Sequence, residues 1–136
     1  MTLDRSISVL LIEDDEIDIK AIKYGFAEFN IKNKLIVART GVEALEKLCG
    51  LNGVKRFIPI PKVILLDINM PKMNGFELLQ KLQDYKHCYS IPIIIITTSD
   101  SEYDKKTAQS FNVSGYFVKP VNFEEFIPIY KRIIES

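Results

Sequence analysis

The chain has 136 residues, 47% of them apolar and 26% charged, which suits one globular domain with a single core. Eighteen basic residues balance eighteen acidic ones, so the broad basic footprint that nucleic-acid binding needs is not expected. The longest strongly apolar stretch, Ile91 to Ile96, is far too short to span a bilayer, so no membrane partner is expected either.

In chain order, apolar runs of strand length alternate with segments of helical period. Val9 to Ile12 precedes a segment with Ile19, Ile22, Phe26 and Phe29 on one face. Leu35 to Ala38 precedes Val42, Leu45, Leu48 and Cys49, and Val63 to Leu66 precedes Phe76, Leu78, Leu79 and Leu82. Ile93 to Ile96 precedes Tyr103, Thr107, Ala108 and Phe111, and Tyr116 to Val118 precedes Phe123, Phe126, Ile127, Tyr130 and Ile134. Five strand–helix units with near-continuous apolar strands predict a parallel sheet covered on both faces by helices. Short, right-handed crossovers should join them. Capping-box spacing marks helix starts at Thr40-x-x-Glu43, Asn74-x-x-Glu77, Ser99-x-x-Glu102 and Asn122-x-x-Glu125. No repeat or inter-domain linker interrupts the pattern, and the last helical segment runs almost to Ser136. Residues 1–136 are therefore expected to be a single domain, with a core of about 7–135 and no output domain.

Two stretches resist the pattern. Residues 50–61 form a long connection carrying Gly50, Gly53, Pro59 and Pro61. Pro128 falls inside the last helical segment, where it removes a donor and crowds the carbonyl of residue 124, so a kink or a late start is expected. Cys49 and Cys88 have neither metal-ligand spacing nor a disulfide framework. His87, the sole histidine, should lie in a polar connection after the third helix. The N-terminal residues lack the apolar run of a secretory signal, so a reducing cytoplasm is the expected location.

In a doubly wound sheet, ligands bind outside the carboxyl ends of the strands. There the first run ends in Glu13-Asp14-Asp15, the third in Asp67, the fourth in Thr97-Thr98 and the fifth in Lys119-Pro120. Carboxylates about 4 Å apart repel by roughly several kcal/mol in a partly buried crevice, and stay ionised together only with a cation. A hard divalent ion suits such oxygen ligands, which makes Mg²⁺ the leading candidate. An ionised Asp beside it is a competent nucleophile toward phosphorus. Phosphoryl transfer then needs mainly positioning and charge stabilisation, which Lys119 and the Thr97 hydroxyl can supply.

Each residue alone has a plainer reading. Asp14, Asp15 and Asp18 suit a helix start, and Asp67 suits a turn. Lys119 alone reads as a solvated charge, Thr97 as a β-branched strand residue and Tyr116 as half-buried packing. The constellation is more specific than any member.

The pieces LLIEDD, ILLDINMPKMNG, IIIITTS and GYFVKP, in this order and spacing, resemble the response-regulator receiver family over about residues 7–135. The resemblance implies an α/β, flavodoxin-like, doubly wound fold with five parallel strands in the order 2-1-3-4-5 and five helices. It implies that Asp67 accepts a phosphoryl group, that Asp14 ligates Mg²⁺ directly and Glu13 through water, and that Asn69 lends the metal its backbone carbonyl. Thr97 and Lys119 match the conserved hydroxyl and lysine, Tyr116 matches the switch aromatic, and the Lys119–Pro120 bond is expected to be cis. The implied donor is a sensor histidine kinase or phosphotransfer protein. The segment before the third strand, with TTS and KPVNFEEF, is similar to single-domain regulators paired with phytochrome-type kinases. Thr98 departs from the commonest pattern, Ala or Gly, and would narrow access to the phosphoryl group.

Such a protein is a switch rather than an enzyme. Its implied output surface is the fourth helix, fifth strand and fifth helix, moved through Thr97 and Tyr116. Helical spacing turns at least two of Phe123, Phe126 and Tyr130 toward the core; one left exposed would anchor a partner or a homodimer. Three rivals remain at this point. A haloacid-dehalogenase-type phosphatase also uses a strand-end Asp, but carries a second Asp where this chain has Asn69. A flavodoxin needs a phosphate cradle where Glu13-Asp14-Asp15 would repel an anion. The third is an unphosphorylated pseudo-receiver that only binds partners.

Overall fold

Four apolar residues in a row, Val63 to Leu66, are all buried, as a strand covered on both faces requires. The computed structural model, which describes residues 7–85 and 90–136, builds its sheet from this strand and four like it. They are β1 (Ser8–Ile12), β2 (Lys34–Ala38), β3 (Val63–Leu66), β4 (Ile93–Thr97) and β5 (Gly115–Val118). All pair in parallel, in the expected order β2-β1-β3-β4-β5. β2 and β5 are less buried than the other three because they are the edges.

Alternation along the strands feeds two cores. Leu10, Ile12, Ile64 and Leu66 meet α2 (Gly41–Cys49), α3 (Gly75–Leu82) and α4 (Glu102–Ser110) on one face. Val9, Leu11, Val63 and Leu65 meet α1 (Glu16–Glu28) and α5 (Phe123–Ile134) on the other. On α4 only Ala108 is fully buried, and Tyr103, expected inward, is 78% exposed. Phe111 instead stacks on Phe76 of α3, with ring centroids 6.1 Å apart.

The helix starts follow the capping signals with one correction. Asn74 and Glu77 form a complete reciprocal box, while Thr40 and Asn122 cap by accepting backbone N–H groups. At α4 the cap is Ser101, which accepts from the Asp104 N–H, and not Ser99. Ser99 sits two residues earlier, with its hydroxyl against the Asp104 carboxylate. α5 starts at Phe123 as its cap dictates and runs unbroken through Pro128, so the late start is not found.

Phe123, Phe126 and Tyr130 all face inward, because spacing of three and four residues places them on one side of α5. None is left as an exposed anchor, so the expected homodimer contact through them is not supported. Phe126 stacks on Tyr130 and meets Phe26 and Phe117. The Phe123 ring lies over Gly25 of α1, where even one added methyl carbon would collide with it. The Tyr130 hydroxyl donates to Asn33 Oδ1 at 2.7 Å, inside the fold. Tyr130→Phe should cost about 1–2 kcal/mol in urea unfolding, since the Asn33 oxygen loses that donor.

In the connection after α2, Gly50 takes the left-handed conformation and returns its N–H to the Glu46 carbonyl. Phe57 folds back to the Lys47 carbonyl and lies 5.8 Å beneath the Lys47 ammonium. Ile58 and Ile60 face solvent. Cys49 is partly buried, while Cys88 and His87 lie outside the described residues. Among the described residues no helix is long and apolar enough to cross a membrane.

Candidate functional site

Ile12 and Leu66 are register partners, so the next residues, Glu13 and Asp67, leave the sheet side by side. The Glu13 N–H still bonds the Ala38 carbonyl and the Asp67 N–H the Ile12 carbonyl. Sheet hydrogen bonding therefore fixes both backbones, and the side chains stay buried at 2% and 5% exposure. This is the crevice where the chain reverses its direction of winding, between β1 and β3.

Lys119 arrives from the end of β5. Its Nζ lies 2.5 Å from Glu13 Oε1, 2.8 Å from Asp18 Oδ2 and 3.2 Å from Asp67 Oδ2. An ammonium has three protons, and three carboxylates take them. The same three acidic residues offer oxygens within 4.8 Å of one another, a set a cation could share. Asp18 is the member that sequence reasoning set aside as a helix-start residue. The available signal was its place in the first turn of α1, just above the end of β1, since helical side chains lean toward the N-terminus. Asp14, the expected direct metal ligand, is exposed on the rim and stands outside this group.

Asn69 connects the acidic group to β4. Its backbone N–H donates to Asp67 Oδ1 at 3.0 Å, and its Nδ2 lies 3.3 Å from Thr97 Oγ1 and 3.2 Å from Thr98 Oγ1. Thr97 is fully buried and also accepts the Ser99 N–H at 3.3 Å. The Ser99 carbonyl accepts from the Tyr116 hydroxyl at 2.9 Å. Hydrogen bonds thus run unbroken from Asp67 through Asn69, Thr97 and Ser99 to Tyr116. The Lys119–Pro120 bond is cis, as expected.

Burial pushes the Glu13 carboxyl up from 4.5 to about 7; the Lys119 hydrogen bond opposes this and the Asp67 charge adds to it. Burial works against the Lys119 charge, but its bonds to Asp18 and Glu13 and the charge of Asp67 outweigh that and raise it overall. Glu13 therefore binds its proton more tightly in the folded chain than in the unfolded one. Its contribution to stability is fully present below about pH 4.5 and is lost as pH rises through about 7. In metal-free protein, urea unfolding should lose on the order of 3 kcal/mol across that window from this group. Glu13→Gln should flatten that part of the profile, and an unchanged slope would assign it to other groups.

The pattern of the response regulator receiver domain matches residues 9–131. The chain belongs to the response-regulator receiver family. Response regulator Rcp1 of Synechocystis sp. is 30% identical over 92% of this receiver and 84% of its own length. The crystal structure of the Mn²⁺-bound form of Rcp1 matches with a TM-score of 0.72 and 27% identity, covering 93% of this chain and 88% of that one. The probable methanogenesis regulatory protein FilR2 of Methanothrix harundinacea is 32% identical over 94% of this chain and 79% of its own. The bacteriophytochrome response regulator AtBRR superposes with a TM-score of 0.80 and 31% identity, over 93% and 91% of the two chains. In this receiver, then, four strand-end residues, Glu13, Asp67, Thr97 and Lys119, converge on one crevice. Asn69 and Tyr116 are tied into it, and Asp14 stands at its edge.

Proposed function

We propose that this receiver is a single-domain cytoplasmic switch that accepts a phosphoryl group on Asp67 from a sensor histidine kinase or phosphotransfer protein. One observation carries the reading. Asp67 is a buried strand-end carboxylate with one oxygen held by the Asn69 N–H at 3.0 Å and the other 3.2 Å from the Lys119 ammonium. In the transfer, a carboxylate oxygen attacks phosphorus and an O–P bond forms. The P–N bond to the donor imidazole breaks, and its electron pair leaves with the ring. Lys119 offsets charge on the phosphoryl oxygens, and the Thr97 hydroxyl donates to one of them.

The donor set fits a hard divalent cation, because every side chain offered is a carboxylate oxygen. Asp14 and Asp67, with the Asn69 carbonyl and with Glu13 through water, would hold Mg²⁺, which supplies charge neutralisation for the incoming group. Two facts support this choice. Lys119 pairs with Glu13, Asp18 and Asp67, whereas Asp14, next to Glu13 in the chain, is exposed. The relative Rcp1 has been crystallised with Mn²⁺. By calorimetry, Asp14→Ala should weaken Mg²⁺ binding at least about tenfold, the loss of one charged ligand. Unchanged affinity would remove Asp14 from the set.

AtBRR, a bacteriophytochrome response regulator, supports a phytochrome-type kinase as donor. Output would leave through α4, β5 and α5, where Tyr116 is tied to the loop after β4. The deciding experiment is incubation with acetyl phosphate and Mg²⁺ followed by intact mass. A receiver gains one phosphoryl group without turnover. A phosphatase releases phosphate continuously, and a pure interaction module gains nothing.

A further inference from the structure

We infer that Asn69 is a positioning residue for phosphorylation, acting through its side-chain amide on the Thr97 hydroxyl. The inference rests on the phosphoacceptor reading above and concerns the side chain, not the backbone carbonyl. A hydroxyl has one proton to give and two lone pairs to receive with. At Thr97 both lone pairs are occupied, by Asn69 Nδ2 and by the Ser99 N–H, each at 3.3 Å. The proton is what Thr97 has left to offer. β4 lies beside β3 with Leu66 opposite Ile95, so Thr97 ends its strand next to the crevice that holds Asp67.

A phosphoryl group on Asp67 would bring acceptor oxygens only. The hydroxyl therefore has a proton, and no free lone pair, to offer it. The chemistry of residue 69 matters here. An amide nitrogen gives protons to Thr97, whereas a carboxylate at this place could only take the proton the reaction needs. The second Asn69 contact, to Thr98 Oγ1 at 3.2 Å, braces the amide, and its backbone N–H holds Asp67 Oδ1 at 3.0 Å. One residue thus fixes the accepting carboxylate and the assisting hydroxyl relative to each other.

The test is a double-mutant cycle on labelling by acetyl phosphate at saturating Mg²⁺, comparing wild type, Asn69→Ala, Thr97→Ala and the double variant. Asn69→Ala should slow labelling about fivefold, the worth of one ordinary hydrogen bond. Its Mg²⁺ affinity should be unchanged, because the backbone carbonyl remains. The double variant should label no more slowly than Thr97→Ala alone, as expected if the amide acts through that hydroxyl. In a Thr98→Ala background the Asn69→Ala loss should persist. If Thr97→Ala labels too slowly to time, beryllofluoride titration followed by amide NMR gives the same comparison without turnover. Losses that multiply in the double variant, or Asn69→Ala labelling as fast as wild type or faster, would overturn the inference. A wild-type chain that takes up no phosphoryl group would overturn the phosphoacceptor reading instead.

Discussion

Asp67→Asn should abolish phosphoryl incorporation while leaving the fold intact. The substitution is close to isosteric and retains an oxygen that can accept the Asn69 N–H, so the loop after β3 keeps its main tie. It removes the nucleophile, since an amide has no carboxylate charge to direct at phosphorus. Lys119 still has Glu13 and Asp18 to pair with. With acetyl phosphate and Mg²⁺, the intact mass of the variant should stay that of the unmodified chain. The wild-type label should be removed by hydroxylamine, as an acyl phosphate is. Stable label on a serine or threonine, or label surviving in Asp67→Asn, would place the acceptor elsewhere.

The largest stability effect is expected at Lys119. Its ammonium is the shared counter-ion of three carboxylates, two of them almost fully buried. Lys119→Met fills much of the same space and leaves those charges facing one another. Breaking a buried pair in this way costs about 3–5 kcal/mol, because the partner charge stays buried and uncompensated. Protonation of Glu13 relieves part of the repulsion, so the loss should grow with rising pH. A divalent cation should relieve it too. Urea unfolding in chelator should show the full loss, and Mg²⁺ should return more stability to Lys119→Met than it adds to wild type. Equal losses with and without the metal would separate the lysine from the cation site.

Much of this was legible in the sequence, for reasons that particular residues make plain. The parallel, two-sided sheet follows from uninterrupted apolar runs such as Val63 to Leu66, whereas the strand order came only from the resemblance to receivers. The strand-end residues Glu13, Asp67, Thr97 and Lys119 could be placed together because strand ends in such a sheet share one rim. What the sequence hid depends on side-chain direction. Asp18 reads as an ordinary first-turn acid until α1 is seen to start above β1. Ser99 has the capping-box spacing to Glu102, but the turn after β4 makes Ser101 the cap. Tyr103 has the right period to face inward, but α4 buries only Ala108 along its length. The Asn69 bridge between two loops joins residues 28 and 29 positions apart in the chain, beyond the reach of any local pattern.

The contact of Phe123 with Gly25 has a mechanical meaning. A ring seated on bare backbone locks α1 and α5 at a spacing that leaves no slack for sliding. Around it Phe26, Phe126 and Tyr130 interlock edge to face and stacked, so this side of the sheet behaves as one stiff plate. On the opposite side α4 is the lightly packed element: it contributes one fully buried residue, Ala108, and the loop before it is tied by hydrogen bonds of Ser99 to Thr97, Asp104 and Tyr116. Motion driven from the crevice should therefore concentrate in the loop after β4 and in α4, while α5, the other helix of the output face, shifts least against α1.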